Sequence, residues 1–178
     1  MLYRARNTNG YDSFFLGNYV HYSYRAEGKP AATPSRVYLT NVESPELRRL
    51  GVAYFLDAKA KLNPTTAPLP LVRWESDETP IEFSTPSAER WDIRGEAKKG
   101  GKLILAVPLH RGWRAWVNGS PARINLYDRF VQSVSVPAGP FTAAFRFKPP
   151  RWLFLSILTV ICWGLWFVAG FRSLVRGQ

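Results

Sequence analysis

Two histidines, one cysteine and thirteen carboxylates are the groups from which this 178-residue chain could build a reactive centre. His21 and His110 stand without Cys, His or acidic neighbours at ligand spacing, so no metal site is expected. Cys162 lies in an apolar run, which leaves no intrachain disulfide and no thiolate paired with a base. Neither a phosphate-cradling glycine loop nor a GxSxG nucleophile turn occurs. Asp12, Asp57, Asp77, Glu78, Asp92 and Asp128 could serve as paired acid and base, but each also fits a cap, a turn or an ion pair. The sequence thus names no catalytic residue and no cofactor. What remains is aromatic and cationic. Trp74, Trp91, Trp113 and Trp116 fall in strand-like segments, and a flat indole face matches the C–H face of a pyranose, although aromatics in strands more often fill cores. Alternation sets Trp113 and Trp116 on opposite faces, which makes Trp116 the exposed candidate. With Tyr127, Arg114 and Arg129 it forms the set expected to touch a glycan.

Charge and composition narrow the class. Lys and Arg outnumber Asp and Glu by 24 to 13, a formal net charge of +11. Such a balance suits anionic lipid headgroups or acidic polymers. The cations occur singly or in pairs such as Arg48-Arg49 and Lys98-Lys99, not as the dense stripe of a nucleic-acid module, so no nucleic-acid partner is expected. At 46% hydrophobic and 15% aromatic the chain is too apolar for intrinsic disorder, and one folded domain is the expectation for its length.

The elements that must position these residues read as mainly β. An amphipathic helix is expected from Asp12 to about Ala26, with Phe15, Tyr19 and Tyr22 on one face and Gly28 beyond its end. A second short helix is signalled by Ser44-Pro45-Glu46 and Gly51, with Leu47 and Leu50 facing inward. Then come the strand-like runs GVAYFLD, PLVRWE, ERWDIRG and KLILAVPL, separated by polar and turn-forming residues. Trp113 to Val117 and Ala122 to Leu126 flank Asn118-Gly119, a pair suited to a type I′ hairpin turn. A turn at 137–140 leads into Phe141 to Lys148, where Phe141, Ala143, Phe145 and Phe147 share one face. The sequence from Lys102 to Lys148 therefore reads as a four- or five-stranded antiparallel meander, and with the earlier strands as a two-sheet sandwich.

The run WLFLSILTVICWGLWFVAGF, Trp152 to Phe171, carries no charge across twenty residues and predicts a transmembrane helix. Lys148, Arg151, Arg172 and Arg176 bracket it, and Trp152 suits an interface, so these five are the expected membrane-interface residues. The cations on the two sides do not by themselves select an orientation. Taken alone the chain would be tail-anchored; taken as part of a longer protein it could face the other way.

Several segments together resemble the C-terminal end of YfhO-like bacterial membrane proteins. They are Leu103-Ile104-Leu105-Ala106, Arg111 to Gly119, Val134 to Gly139 and Phe145 to Pro149, followed by the apolar run. Upstream, Gly10-Tyr11-Asp12-Ser13 with Tyr19, and Leu47 to Phe55, resemble the segments that lead into that domain. The sequence departs from the family pattern at Leu109-His110-Arg111, where a Tyr-Pro pair usually precedes the Gly-Trp. The resemblance implies a polytopic protein similar to GT-C glycosyltransferases, which moves sugar from an undecaprenyl-phosphate carrier onto cell-envelope polymers. It also implies that the catalytic acid lies in an early loop outside this chain. The expected organisation is a helical lead-in over 1–35, an extracytoplasmic antiparallel β-sandwich over 36–150, a transmembrane helix over 151–172 and a tail over 173–178. The expected role is to scaffold or bind glycan, with the lipid bilayer, cell-envelope glycan or lipid-linked sugar, and the remaining transmembrane bundle as partners. The alternative is a self-contained membrane-anchored carbohydrate-binding or protein-interaction module.

Overall fold

The computed structural model describes residues 17–30, 39–56, 59, 61–75, 81–150 and 152–176, with the side chains of 17, 18, 152 and 168–176 excepted. Helix α1 (Gly17–Ala26) opens the described chain. Phe15 and the rest of the lead-in before Gly17 lie outside the described residues. Tyr22 and Ala26 are buried along one side of α1, and Lys29 and Gly28 donate to the Tyr24 and Arg25 carbonyls, which closes the helix end. Helix α2 (Pro45–Arg49) starts as its residues dictate, because the Ser44 hydroxyl accepts from the Glu46 N–H and proline occupies the first turn. It ends at Gly51, whose φ of 70° is a left-handed conformation, and Val52 then donates back to the Leu47 carbonyl. A side chain at Gly51 would also meet the Leu69 carbonyl oxygen at 2.9 Å.

Eleven strands follow among the described residues: β1 (Tyr54–Leu56), β2 (Leu62–Pro64), β3 (Val72–Trp74), β4 (Glu82–Ser87), β5 (Arg90–Ala97), β6 (Gly101–Pro108), β7 (Trp113–Val117), β8 (Ser120–Ala122), β9 (Asn125–Tyr127), β10 (Val131–Val136) and β11 (Gly139–Phe147). They form three antiparallel sheets, ordered β1-β2, β3-β6-β10-β9 and β4-β5-β11-β7-β8. The two larger sheets share one core. Trp74, Leu103, Leu105 and Val134 from the four-stranded sheet meet Trp91, Ile93, Ala143 and Phe145 from the five-stranded sheet. Strand β11 places Phe141, Ala143 and Phe145 inward while Thr142 stays exposed, as alternation demands. The second face of the four-stranded sheet is covered too. There Ile104, Phe130 and Val131 lie against Tyr22 of α1, whose ring stacks on Phe130 at 4.6 Å. That double coverage explains why four successive residues of β6, Leu103 to Ala106, are all buried.

Two sequence expectations about topology change. The stretch from Lys102 to Lys148 is not a meander, because β6 pairs with β10 and β11 pairs with β5 and β7, so the chain passes back and forth between two sheets. The single strand expected over Ala122 to Leu126 is cut in two. Strand β8 pairs with β7, whereas β9 joins β10 in the opposite sheet, and Ile124 packs toward the shared core at the crossing. Apolar alternation continues through such a crossing, so periodicity alone does not reveal it.

The expected transmembrane helix is also corrected. Among the described residues no helix is long and apolar enough to cross a membrane. Helix α3 (Trp152–Arg176) does form, but its side chains are described only over 153–167. The large apolar side chains described there, Leu153, Phe154, Trp163 and Trp166 among them, are exposed. Of the expected interfacial residues, Lys148 is exposed just past β11 and Arg151 lies outside the described residues. For Trp152, Arg172 and Arg176 only the helical backbone is described.

Candidate functional site

The outer face of the five-stranded sheet collects polar and aromatic side chains in cross-strand rows. One row runs Ser84, Asp92, Ala144, Trp116, Pro121, each opposite the next on the neighbouring strand. Beside it runs Arg90, Arg146, Arg114, and on the other flank Glu82, Arg94, Thr142. Ala144 is the low point between Asp92 and Trp116, because its side chain is a single methyl. An open depression of about 710 Å³ results, lined by Asp92, Arg94, Trp116, Thr142 and Ala144 among others. Trp116 also borders a second depression of about 490 Å³, shared with His110, Arg111, Arg114 and Pro121. The indole thus stands as a wall between two hollows.

Local sequence fixes that placement. Ala115 is buried and Trp113 and Val117 pack against the core, so Arg114 and Trp116 must face outward. The strand is anchored at its far end by the hairpin turn, where Asn118 and Gly119 take φ of 49° and 78°, the signs of a type I′ turn. The Asn118 side-chain oxygen accepts from the Thr142 N–H at 2.8 Å, which ties the turn to β11.

Asp92 organises the charges. Its carboxylate accepts from Arg90 at 3.0 Å and from Arg146, while a second Arg146 nitrogen donates to the Trp91 and Phe145 carbonyls, each at 2.8 Å. Desolvation is the largest single influence and pushes the Asp92 carboxyl up, but the hydrogen bonds and charges of Arg146 and Arg90 together hold it below the usual carboxylate range. Asp92 stays ionised at neutral pH and is a poor general acid. Among the described residues, Arg94 and Arg114 have no ion pair within 4.0 Å.

Comparisons with protein-family models, curated proteins and solved structures find no match.

The structure brings together only half of the expected glycan set. Trp116 and Arg114 share β7, but Tyr127 sits on β9 in the other sheet, half-buried against the Tyr22 and Phe130 cluster. Arg129 lies in the following turn at a φ of 60°. That turn belongs to a separate ionic cluster, in which Asp128 binds Arg25 at 3.1 Å and Arg49 at 3.3 Å, and Arg25 also pairs with Glu46 at 3.1 Å. This cluster clamps α1 and α2 to the sheet. Tyr22 donates to the Glu46 carbonyl beneath it, and burial first, then the Asp128 charge, push its hydroxyl up to about 12. Of the carboxylates weighed as an acid and base pair, Asp92 and Asp128 belong to different sheet surfaces, and Asp12, Asp57, Asp77 and Glu78 lie outside the described residues. His110 accepts from the Gly112 N–H at 3.1 Å and its ring packs near Phe147. No group of three or more His, Cys, Asp or Glu that could hold a metal occurs among the described residues. Residues that sequence reading missed are Arg94, Arg146 and Ala144, whose relation to Trp116 depends on strand register.

Proposed function

We propose that this chain is a glycan-binding β domain, with the outer face of β4-β5-β11-β7-β8 as its binding surface. The single observation that carries the reading is the outward-facing Trp116 set beside a methyl-floored hollow, with Asp92 and Arg94 across it. An indole that covers a pyranose C–H face, with charged side chains within reach of its hydroxyls, is the combination that sugar recognition requires. The resemblance to YfhO-like proteins gives this surface a setting: the extracytoplasmic side of a cell membrane, where it holds glycan for glycosylation of envelope polymers while catalysis lies elsewhere. A lipid bilayer is the partner we assign to the exposed apolar side chains of α3, in keeping with the basic net charge. Titration of the full chain, kept in a sugar-free detergent, with peptidoglycan and teichoic acid fragments tests the reading. Binding is expected to weaken about five- to thirtyfold in Trp116→Ala, since loss of a stacked ring costs on the order of 1–2 kcal/mol. Equal affinity of wild type and variant would remove the reading.

A further inference from the structure

The row Arg90, Arg146, Arg114 places three guanidinium-bearing residues directly opposite one another on three adjacent strands. Neighbouring strands lie about 4.8 Å apart, and like charges set opposite each other across a sheet repel. A sheet does not gain stability from such a row. Asp92 offsets part of the repulsion, and it binds Arg90 and Arg146 alone. Arg114, exposed at the end of the row, makes no ion pair among the described residues. Three guanidiniums against one carboxylate leave two positive charges unbalanced beside the indole of Trp116, which sits two residues along the same strand and therefore about 7 Å away on the same face.

We propose that this row is an anion site for a phosphorylated sugar, whose ring stacks on Trp116 and whose phosphate is met by Arg114 and Arg146. A phosphomonoester carries close to two negative charges at neutral pH and three acceptor oxygens, which matches the unbalanced charge and the forked donors of arginine. A single carboxylate would leave one cation unmatched. The proposal rests on the glycan reading of this face and adds the ligand class to it.

The test uses the full chain in a phosphate-free and sugar-free zwitterionic detergent, with four soluble probes: glucose 6-phosphate, methyl glucoside, inorganic phosphate and glycerophosphoglycerol, the water-soluble head of an anionic lipid. Glucose 6-phosphate is expected to bind at least tenfold more tightly than methyl glucoside. Arg114→Gln should erase that preference while methyl glucoside still binds, and Trp116→Ala should weaken both sugars. Equal affinity for the phosphorylated and neutral sugars would overturn the anion site and leave the glycan reading standing. Absence of binding by either sugar, in wild type of native-like circular dichroism, would remove both. Tighter binding of inorganic phosphate or glycerophosphoglycerol than of glucose 6-phosphate would assign the row to a bare phosphate or a lipid headgroup and overturn the sugar phosphate.

Discussion

At the scale of single residues, charge and backbone conformation set the terms. Asp128 and Arg129 both occupy left-handed φ, 48° and 60°, in the turn that joins β9 to β10. For a non-glycine residue this costs roughly 1 kcal/mol each. Asp128 is held there by Arg25 and Arg49, but exposed Arg129 gains no ion pair among the described residues. Arg129→Gly should therefore raise the stability by about 1 kcal/mol, read as a shift in the urea midpoint at constant slope. A lowered midpoint would mean that the arginine side chain stabilises the turn. Asp92 gives a prediction in pH. Its native pKa lies below the unfolded value, so its contribution is complete above the unfolded pKa and disappears as pH falls through the native one. Asp92→Asn should be less stable by on the order of 1 kcal/mol at pH 7, a modest figure because the pair is partly exposed. The two proteins should converge as acid protonates the wild-type carboxylate. A gap that stays constant down to acid pH would show that shape rather than charge matters there. Trp116 and the Asn118-Gly119 turn were legible from sequence because each obeys a local rule, alternation or positive φ. The arginine row was not, because residues 90, 114 and 146 become neighbours only through strand register.

At the scale of elements, caps and turns were legible where the signal sits within a few residues. Ser44, Pro45 and Gly51 mark α2 correctly at both ends. The crossing at Ile124 was not, since an inward apolar residue satisfies either sheet, and this moved Tyr127 away from Trp116. The transmembrane expectation rested on the apolar length of 152–171, and no described helix meets that requirement. The loop from Leu109 to Gly112 is tied to the end of β11, with the Lys148 N–H donating to the Gly112 carbonyl at 3.0 Å. A Cβ at Gly112 would stand 2.5 Å from the Phe147 ring and 2.6 Å from the Lys148 carbonyl oxygen. Gly112→Ala should cost about 1–3 kcal/mol, because backbone cannot yield as a flexible side chain does. An unchanged melting temperature would show that the loop is free to move off β11.

At the scale of the whole molecule, two sheets and the α1 layer are bound through shared side chains. Phe145 is fully buried and belongs to the core that both sheets line. Phe145→Ala should lose about 3–5 kcal/mol and still unfold in one step, with tryptophan fluorescence and far-ultraviolet circular dichroism coincident. Separate transitions would contradict a common core. That common core is what keeps the rows of the outer face in register and so lets Trp116, Asp92 and the arginines act as one surface. The measurement that reaches this claim most directly is a chemical-shift map of the full chain titrated with a peptidoglycan fragment. The expected result is movement of the Trp116 indole signal and of backbone amides in β5, β7 and β11, with the Tyr127 and Arg129 turn unmoved. Shifts confined to that turn, or no shifts at saturating ligand, would contradict it.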